Sequence, residues 1–361
     1  MKTIITVTGI RPDFIRMSTI FRALDKNFNH ILIHTGQHYD RKLSKVFFDE
    51  FSIRYPDYNL KIGSSKNEHY HQLAELSVKF IDLLKKKKIK PDLIIFLGDS
   101  NSVGLSFFLK KEGYKIAHIE AGMRSYDDRM LEEINRKVCD HCSDLLFVYH
   151  QDYKNNLIKE NISKQKIFVV GNTIIEPCYE ILKSLNENKS KNKNSYILVD
   201  IHRPENFKYP QRLKNIIHFL EICKKKFNKK ILFLKFNRTM KHIKKFNIDT
   251  KEIKIIDLVG YSAFLTLQKN SYFIISDSGT AQEEPALLKI PVLVPRDFTE
   301  RPQSYKYNCS FKINVNYLNN SWHKSFEWIN KCKQKKIKIK NHWLGKGNTS
   351  KKIIKIIKSK I

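Results

Sequence analysis

Residues 118–141 read HIEAGMRSYDDRMLEEINRKVCDH and place a dense run of acidic, arginine and histidine side chains just before an apolar segment, LLFVY, at residues 145–149. A solvated helix with ion pairs four residues apart, such as Glu132 with Arg136, explains the second half of this run. It does not explain EAGMR, residues 120–124, which follows a predicted strand. In alternating α/β chains, ligands bind where the strands end, so this segment predicts a functional site.

The same order of elements extends in both directions from this stretch: an apolar strand, a loop of polar residues and then a helix. Strands are predicted in the first half of the chain at residues 2–8, 29–35, 93–97, 115–119, 145–149 and 167–170, and in the second half at residues 196–200, 230–234, 253–258, 273–276 and 291–294. This alternation predicts an α/β fold with parallel, doubly wound sheets. Right-handed crossovers would bring the polar loops to one edge of each sheet.

The length and the composition favour two domains. The chain has 361 residues, of which 41% are hydrophobic, and that is enough for two cores. The segment SLNENKSKNKNS at residues 184–195 has almost no apolar side chains and predicts an exposed linker. We therefore expect Rossmann-like domains over residues 1–183 and 196–345 that face each other across a cleft. A C-terminal helix over residues 346–361 is expected to dock on a domain surface.

No segment predicts a membrane span or a signal peptide. No run approaches eighteen apolar residues, and the N-terminal sequence MKTIITVTGIRP predicts a first strand. The tail at residues 351–361 could form an amphipathic helix on a membrane surface, but it is short and lacks Trp and Phe, which favours docking on the protein. Six cysteines in a chain of this length do not form a disulfide framework. We expect a soluble, cytoplasmic protein.

The formal net charge of +31 raises the question of an anionic partner. The excess consists mostly of lysine spread over the whole chain, which is typical of a solvated surface. No RNA-recognition signature, zinc-finger spacing or basic stripe with interleaved aromatic residues occurs. We therefore expect no nucleic-acid partner.

Two loops that follow predicted strands have the composition of anion sites. Gly9 ends the first strand and Arg11-Pro12-Asp13 opens a helix, so backbone N–H groups would point at an anion, although the Lys-Ser/Thr of a P-loop is missing. In the second half, Ser278-Gly279-Thr280 at a strand-to-helix turn predicts a diphosphate cradle. Glu284 lies about one helical turn further on, within reach of a ribose. No G-x-G-x-x-G indicates NAD.

Other residues with ligand chemistry have simpler explanations. Cys139 and Cys142, with His141 between them, have a metal-like spacing, but there is no second pair, and cysteines three residues apart on a helix are typical of packing. We expect no metal. An Asx-turn or a helix cap is an alternative role for Asp99, and a satisfied loop histidine is an alternative for His202.

Several motifs together match one family. They are GIRPDFIRMS at residues 9–18, HTGQHYD at 34–40, FLGDSNS at 96–102, HIEAGMRS at 118–125 with EEINR at 132–136, VVGNT at 169–173, IHRPENF at 201–207, and ISDSGTAQEE at 275–284 with RDFTERP at 296–302. In this order, and over most of the chain, the sequence resembles the non-hydrolysing UDP-N-acetylglucosamine 2-epimerases. The resemblance implies a glycosyltransferase-B-like architecture with a UDP-sugar in the interdomain cleft, a homodimer, and neither a nicotinamide cofactor nor an essential metal.

The resemblance also implies the chemistry. UDP leaves C1 as the C2 proton is removed, giving a 2-acetamidoglycal, and then re-adds with protonation at C2 on the other face. Carried over to this chain, the catalytic residues are Asp99, Glu120, Glu132 and His202, and the residues that bind UDP or the sugar are Arg11, Arg16, Arg136, Ser278, Gly279, Thr280, Glu284 and Arg301. Arg11 and Arg136 should hold the leaving group and orient Glu132, and His202 should contact the diphosphate. The domain over residues 196–345 is then the UDP-binding one.

Three differences favour the branch of this family that acts on 6-deoxy-L-hexosamine nucleotides. The UDP-N-acetylglucosamine branch usually has Lys where this chain has Arg16, two glycines where it has Gly279-Thr280, and Pro before the two glutamates where it has Leu131. The expected reaction therefore converts UDP-N-acetyl-L-rhamnosamine to UDP-N-acetyl-L-quinovosamine, or acts in the L-fucosamine series. The alternatives are a UDP-GlcNAc/UDP-ManNAc 2-epimerase, a hydrolysing epimerase, a UDP-sugar glycosyltransferase and an anion-binding protein without enzyme activity.

Overall fold

The computed structural model describes residues 1–36, 48–62, 68–128, 130–185, 194–316 and 320–361, apart from the side chains of Arg11, Asn320 and Ser321. The chain divides into two compact units: unit 1 consists of Met1–Tyr179 and Leu344–Ile361, and unit 2 of Glu180–Trp343. Part of the motif at residues 34–40 and most of the predicted linker at residues 184–195 lie outside the described residues.

Unit 1 is built on one parallel sheet. Its strands are β1 (Thr3–Thr8), β2 (Asn29–His34), β3 (Tyr58–Asn59), β4 (Leu93–Leu97), β5 (Ile116–Ile119), β6 (Leu145–Val148) and β7 (Ile167–Val169). They lie in the order β3-β2-β1-β4-β5-β6-β7, and every neighbouring pair is parallel. The strand order reverses between β1 and β4, which is the point where doubly wound sheets bind ligands.

Unit 2 repeats this arrangement. Its strands are β8 (Tyr196–Asp200), β9 (Lys230–Leu234), β10 (Lys254–Ile256), β11 (Ile274–Ser276), β12 (Val292–Val294) and β13 (Ser310–Lys312), in the order β10-β9-β8-β11-β12-β13, with parallel pairing throughout. The order matches that of the first six strands of unit 1. The predicted fold class, α/β with two Rossmann-like units of the glycosyltransferase-B type, is confirmed.

Helices alternate with these strands along the chain. They are α1 (Arg11–Asn27), α2 (His69–Lys87), α3 (Leu105–Lys111), α4 (Leu131–Cys142), α5 (Gln151–Lys159), α6 (Ile175–Ser184), α7 (Pro204–Phe207), α8 (Pro210–Phe227), α9 (Asn237–Lys245), α10 (Tyr261–Asn270), α11 (Glu284–Leu288), α12 (Pro302–Lys306), α13 (Asn320–Lys333) and α14 (Thr349–Lys360). Short 3-10 helices occupy Asn101–Gly104, Lys164–Lys166, Thr280–Gln282 and His342–Leu344.

The central strands of unit 1 are apolar along their whole length. β4 reads LIIFL and is buried at every position, and β1 reads TIITVT with only its first residue partly exposed. A parallel sheet covered by helices on both faces requires such strands, because neither face meets water. Ile94 and Phe96 of β4 belong to a buried cluster with Phe80 of α2, Leu109 of α3 and Cys139 of α4.

The last helix of the chain packs on unit 1. α14 lies against α1, and its first turn is held by Glu176, whose Oε1 accepts a hydrogen bond of 3.0 Å from the hydroxyl of Ser350. The backbone N–H of Ser350 donates to the same carboxylate, which also accepts a hydrogen bond of 2.9 Å from Thr19 of α1. A carboxylate at the N-terminus of a helix is favourable because it meets the positive end of the helix dipole.

Two strands were not predicted from the sequence. β3 has two residues and β13 has three, and each lies at the edge of its sheet. A strand this short spans too few residues to show a pattern of its own, and it forms because a neighbouring strand offers its free edge.

Two further observations concern the environment of the chain. Among the described residues, no helix has both the length and the apolar character needed to cross a membrane. All six cysteines are free thiols. Cys139, half of the pair with metal-like spacing, is buried in the core of unit 1, as expected for a packing residue.

Gly122 allows a close approach between two segments of unit 1. Its φ is +75°, and a Cβ at this position would collide with the carbonyl oxygen of Tyr153 and lie 2.9 Å from Cγ of Leu157. Gly113 also has a positive φ, +82°, but a Cβ there would meet nothing within 4 Å. The two glycines therefore separate the cost of a left-handed backbone from the cost of a steric clash.

Gly122→Ala should lower the thermal unfolding midpoint more than Gly113→Ala. The Gly113 variant bears only the cost of a left-handed alanine, about 1–2 kcal/mol. The Gly122 variant adds overpacking against a backbone atom that cannot turn aside, about 1–3 kcal/mol more. Scanning calorimetry of both variants measures the difference, and equal midpoints would contradict the close approach at Gly122.

Candidate active site

The loops that follow β1, β4 and β5 lie at one edge of the sheet in unit 1, because these strands are parallel neighbours. They carry Asp13 in the first turn of α1, Asp99 just after β4 and Glu120 just after β5. The charges of Asp99 and Glu120 reach Asp13 and act on its ionisation. The predicted clustering of acidic residues at the carboxyl ends of the strands is therefore present in unit 1.

Asp99 is paired with an arginine. Its Oδ2 accepts a very short hydrogen bond from Nη2 of Arg136, which is buried on α4. Its carbonyl oxygen accepts a hydrogen bond of 2.9 Å from Nδ2 of Asn135, the preceding residue of the same helix. Arg136 was expected to hold the leaving group and to orient Glu132, and these roles stay predictions; in the structure its Nη1 also lies 4.0 Å from Oε2 of Glu133. α4 thus holds both the side chain and the backbone of Asp99.

Glu120 is buried in a strained backbone conformation. Its φ is +74°, in a region that costs a non-glycine residue roughly 1–3 kcal/mol and that persists only where the surroundings hold it. Nη1 of Arg16 lies 3.6 Å from its Oε2, and the Tyr149 hydroxyl lies 3.5 Å from the same oxygen. The Tyr149 hydroxyl is in turn 2.6 Å from Oγ1 of Thr173. Strain of this kind is concentrated at functional sites.

Asp13 is a third carboxyl group at this edge, and it is buried. Its Oδ2 accepts hydrogen bonds from the backbone N–H groups of Gly9 at 2.8 Å and Ile10 at 3.1 Å. Burial raises the pKa of Asp13 to about 7, and the charges of Asp99 and Glu120 also raise it, while the two backbone hydrogen bonds act in the opposite sense. A carboxyl group that is half ionised near neutral pH is suited to exchange protons with its neighbours.

The loop before α1 differs from the predicted anion site. The N–H groups of Gly9 and Ile10, which were expected to point at an anion, are occupied by the carboxylate of Asp13. Arg11 is the first residue of α1, and its side chain lies outside the described part of the chain. Arg16, one turn further along α1, is buried and faces Glu120.

The two adjacent glutamates at the start of α4 have different environments. Glu133 is fully buried, and its Oε2 accepts hydrogen bonds from the N–H of Ser125 at 2.8 Å and from the hydroxyl of the same residue at 2.9 Å. Its Oε1 accepts the N–H of Tyr126 at 3.3 Å. Glu133 therefore ties the loop after β5 to α4. Glu132, the predicted catalytic residue, is half-buried beside it.

His202 follows β8 in unit 2 and is held by two carboxylates. Its Nδ1 lies 2.7 Å from Oδ1 of Asp200, and its backbone N–H donates a hydrogen bond of 3.0 Å to Oδ1 of Asp277. Burial by itself would lower the pKa of His202, but the carboxylates of Asp200 and Asp277 raise it above the ordinary value. The ring therefore stays positively charged to a higher pH than a free histidine.

Asp200, His202 and Asp277 each offer one possible metal-ligand atom, and these atoms lie within 4.8 Å of one another. The oxygens of Asp277 already accept hydrogen bonds from the backbone of His202 and Arg203, each at 3.0 Å, and from Nδ2 of Asn206 at 2.8 Å. These contacts explain the cluster as a support for the loop after β8. The absence of a metal requirement stays a prediction.

The predicted diphosphate cradle follows β11. The hydroxyls of Ser278 and Thr280 lie 3.0 Å apart, and a Cβ on Gly279 would lie only 2.6 Å from Nη1 of Arg301. Arg301 is buried, and its Nε donates a hydrogen bond of 2.7 Å to Glu283. The glycine thus lets a guanidinium lie directly against the backbone of the cradle.

Glu284 is buried at the start of α11. Its Oε1 accepts a hydrogen bond of 2.9 Å from the hydroxyl of Tyr261, and its Oε2 accepts one of 2.9 Å from Nε2 of Gln268. The ribose contact of Glu284 stays a prediction.

Comparison with known protein families matches residues 22–358 to one family, described as UDP-N-acetylglucosamine 2-epimerase. The chain belongs to this family. It is 38% identical over 369 residues to the UDP-N-acetylglucosamine 2-epimerase of Methanocaldococcus jannaschii, with 97% of each chain covered. The predicted family and enzyme class are therefore confirmed: the protein is an isomerase, a UDP-sugar 2-epimerase.

Two other similarities describe the range of this family. A crystal structure of the Methanocaldococcus jannaschii UDP-GlcNAc 2-epimerase in complex with UDP-GlcNAc and UDP superimposes with a TM-score of 0.88 at 38% identity, covering 99% of this chain and 100% of that one. The epimerase is also 32% identical over 303 residues to the UDP-2,3-diacetamido-2,3-dideoxy-D-glucuronate 2-epimerase of Pseudomonas aeruginosa, covering 82% of this chain and 84% of the other.

Asp13 and Tyr149 belong to this site but were not singled out as site residues from the sequence. Asp13 was interpreted only as part of a helix start, although its position four residues after a strand-ending glycine is the one from which a carboxylate can cap the loop. Tyr149 stands at the end of a predicted apolar strand and carries no sequence signal that distinguishes it from a core residue.

Asp13→Asn should stabilise this epimerase at alkaline pH. The folded-state pKa of Asp13 is raised from 3.8 to about 7, so its contribution to stability is complete below the unfolded pKa and is lost as the pH rises through 7. Asparagine keeps an acceptor for Gly9 and cannot ionise. Each unit of pKa shift corresponds to about 1.4 kcal/mol. The unfolding midpoint of the variant should exceed that of the wild type at pH 8, and the difference should shrink towards pH 4.

The control for this measurement is the wild-type pH profile itself. Both proteins share every other titrating group, so only the difference between their unfolding midpoints reports Asp13. A difference that stays constant between pH 4 and pH 8 would contradict the raised pKa.

Proposed function

We propose that this epimerase interconverts UDP-N-acetylglucosamine and UDP-N-acetylmannosamine by eliminating and re-adding UDP at C1. The observation that carries the proposal is the group of buried or paired carboxyls, Asp13, Asp99 and Glu120, with Arg16 and Arg136 beside them at the switch point of the unit 1 sheet. The name of the relative that is 38% identical over nearly the whole chain supports the choice of sugar.

The reaction needs acid–base groups on both faces of the sugar ring. When a carboxylate removes the C2 proton, the electron pair of that bond forms the C1–C2 double bond, and the C1–O bond to UDP breaks. The products are UDP and a 2-acetamidoglycal. Re-addition of UDP reverses these steps, with the proton delivered to the opposite face of C2. A weakly acidic C–H bond requires such positioned bases, because solvent alone removes its proton too slowly.

We assign the proton transfers to unit 1. Asp99, Glu120 and Glu132 are the residues proposed to meet the two faces of C2, and Arg136 stabilises negative charge beside Asp99. Asp13, whose pKa is about 7, can take up and return a proton as the charge of its neighbours changes. With its raised pKa, Asp13 can keep a proton at a pH where an ordinary carboxyl group is ionised.

We assign the departing UDP to the loops of unit 2. Ser278 and Thr280 offer hydroxyl groups, and Arg301 supplies a buried cation against Gly279. His202 supplies a second positive charge, kept by the carboxylates that raise its pKa. Fixed cations and hydrogen-bond donors favour the breaking of the C1–O bond because the negative charge on the diphosphate increases in that step.

A 6-deoxy-L-hexosamine nucleotide is the second candidate substrate. Arg16 favours it, since an arginine in place of lysine replaces a point charge with a planar fork. In the structure this fork is buried with Nη1 3.6 Å from Glu120. A 6-deoxy sugar presents a methyl group where glucosamine has a hydroxyl. A pocket built to bind that hydroxyl rejects the deoxy sugar strongly, whereas the reverse discrimination is weak.

We also propose a homodimer formed through α3 and α4 of unit 1. Phe107 and Phe108 on α3, and Leu131 and Ile134 on α4, are large apolar side chains exposed to solvent. The two helices that carry these side chains are packed neighbours. Exposed apolar side chains of this kind mark interfaces between proteins.

We also propose a cytoplasmic location for the protein. The six free thiols support it, because the cytoplasm is reducing.

Incubation with UDP-N-acetylglucosamine in deuterated water should give UDP-N-acetylmannosamine that carries deuterium at C2. The proton removed from one face is replaced by one from a group in exchange with solvent, and mass spectrometry of the nucleotide sugar detects the substitution. A product without deuterium would rule out this mechanism. Release of free N-acetylmannosamine would indicate a hydrolysing epimerase instead, and transfer of the sugar to an acceptor would indicate a glycosyltransferase.

The adjacent pair Glu132 and Glu133 provides the matched control for this exchange. Glu132→Gln should slow it about a hundredfold or more, as for the loss of an acid–base group, with the unfolding midpoint unchanged. Glu133→Gln should mainly lower the midpoint, because the carboxylate that accepts hydrogen bonds from Ser125 and Tyr126 is lost. The opposite pattern would assign Glu132 a structural role.

The sugar itself can be decided by proton NMR of two parallel reactions. With UDP-N-acetylglucosamine and UDP-N-acetyl-L-rhamnosamine at equal concentration, the proposed function predicts a higher kcat/KM for the first. A higher kcat/KM for UDP-N-acetyl-L-rhamnosamine would instead assign the enzyme to the branch that acts on 6-deoxy-L-hexosamine nucleotides. The control is heat-treated enzyme, which separates catalysed epimerisation from spontaneous change.

A further inference from the structure

His118 lies in the middle of β5 and is completely buried. Its Nε2 lies 2.8 Å from the carbonyl oxygen of Gly98, and its Nδ1 lies 2.7 Å from Oδ1 of Asp140 on α4. A carbonyl oxygen can only accept a hydrogen bond, so Nε2 carries a proton and donates it. Neither the proposed proton transfers nor the proposed UDP contacts use this histidine.

The surroundings of His118 favour the positively charged form of its ring. Burial by itself would lower the pKa of His118, but the neighbouring Cys139 and Asp140 raise it well above its ordinary value. With Nε2 donating to the carbonyl of Gly98 and Nδ1 donating to a carboxylate, both ring nitrogens carry hydrogen, as only the imidazolium form allows. His118 and Asp140 therefore form an ion pair with no solvent exposure.

Asp140 connects this cation to a second one. Its Oδ2 accepts hydrogen bonds from the N–H of Gly122 at 3.1 Å and from Nη2 of Arg124 at 2.7 Å. Arg124 also donates to both carboxylate oxygens of Glu160, at 2.8 and 2.6 Å. Burial would raise the pKa of Asp140, but His118 and Arg124 hold it below the ordinary value. Removing one partner of such a buried pair costs about 3–5 kcal/mol, so the geometry is strongly held.

The two ends of this network meet the backbone beside two of the proposed acid–base residues. Gly98, whose carbonyl His118 binds, immediately precedes Asp99, and Gly122, whose N–H Asp140 accepts, stands two residues after Glu120. Gly98, Glu120 and Gly122 have φ values of +71°, +74° and +75°. Positive φ is ordinary for the two glycines, but for Glu120 it is strained, and such strain persists where several contacts determine the backbone together.

We propose that the His118–Asp140 ion pair is a positioning element that fixes the loops of Asp99 and Glu120 relative to each other without touching the substrate. This inference rests on the proposed function. A misplacement of about 1 Å at a reacting group can cost about a hundredfold in rate. UDP, assigned to unit 2, does not depend on this pair. Loss of the pair should therefore lower kcat and leave UDP affinity unchanged.

A matched control lies in the same sheet. His30 in β2 is also buried, with its Nδ1 2.5 Å from Oδ1 of Asp25 and its Nε2 2.8 Å from Oγ1 of Thr6. It is the second residue of its strand, at the end opposite to the loops that carry Asp99 and Glu120. Replacing His30 removes comparable polar contacts in the same core and tests the general cost of such a loss.

Three substitutions of His118 test its two hydrogen bonds separately. His118→Phe removes both hydrogen bonds, His118→Asn keeps a donor near Nδ1, and His118→Gln keeps a donor near Nε2. For each variant and for His30→Phe we would measure kcat and KM for epimerisation of UDP-N-acetylglucosamine, and the Kd of UDP.

The expected result is a kcat at least about tenfold lower for His118→Phe, with KM and the Kd of UDP within about threefold of the wild type. His118→Gln should recover part of the loss, because it can still bind the carbonyl next to Asp99, and His118→Asn should recover less. His30→Phe should keep kcat within about threefold of the wild type.

The outcomes that overturn the proposal are distinct. A wild-type enzyme that epimerises neither UDP-N-acetylglucosamine nor UDP-N-acetyl-L-rhamnosamine overturns the proposed function and the positioning role with it. An active wild type with kcat nearly unchanged in His118→Phe overturns the positioning role alone, and so does an equal loss in His30→Phe. If His118→Phe does not fold, the comparison of the other two variants decides, and a kcat for His118→Gln as low as that for His118→Asn overturns the role.

Discussion

The burial of carboxyl groups at the carboxyl edge of a parallel sheet is the constraint on which unit 1 depends. An ionised carboxylate out of water is unfavourable by several kcal/mol unless it is paired or hydrogen-bonded. Each carboxylate here finds its partner on a different element: Asp99 on α4, Glu120 on α1, and Asp13 on the loop after β1. The helices are therefore held at this edge by charge as well as by apolar packing, and burial raises the pKa of Asp13.

Features of the fold and of the candidate site could be predicted where a short stretch of sequence determines them. Each strand is a short apolar run ended by glycine or polar residues, so the parallel sheets could be predicted, and with them the position of Asp99 and Glu120 at one edge. The side chains that pair with these site residues could not be predicted. Arg136 is 37 residues from Asp99, and His118 is 22 residues from Asp140. Such contacts depend on how a helix turns against the sheet, and no local pattern contains that information.

The raised pKa of Asp13 was beyond sequence reasoning for the same reason. It results from burial and from the charges of two other loops, so it exists only once three strands have been brought side by side. The edge strands β3 and β13 are a milder case, because they form where a neighbour offers unpaired backbone groups. The local sequence also led to one wrong expectation. The loop after β1 has the composition of an anion site, yet its backbone N–H groups donate to the side chain of Asp13.

The loop after β1 has a counterpart in unit 2, the loop after β8, whose backbone donors are also occupied by a carboxylate. After β8, the N–H groups of His202 and Arg203 donate to the buried carboxylate of Asp277, just as the N–H groups after β1 donate to Asp13. In each unit, a carboxylate thus occupies the backbone donors that follow the first strand of the sheet. The occupied donors after β8 support our assignment of the diphosphate to the loop after β11, where Gly279 leaves room for the guanidinium of Arg301. The two units share a strand order, and their chemistry differs because different side chains follow the same strands.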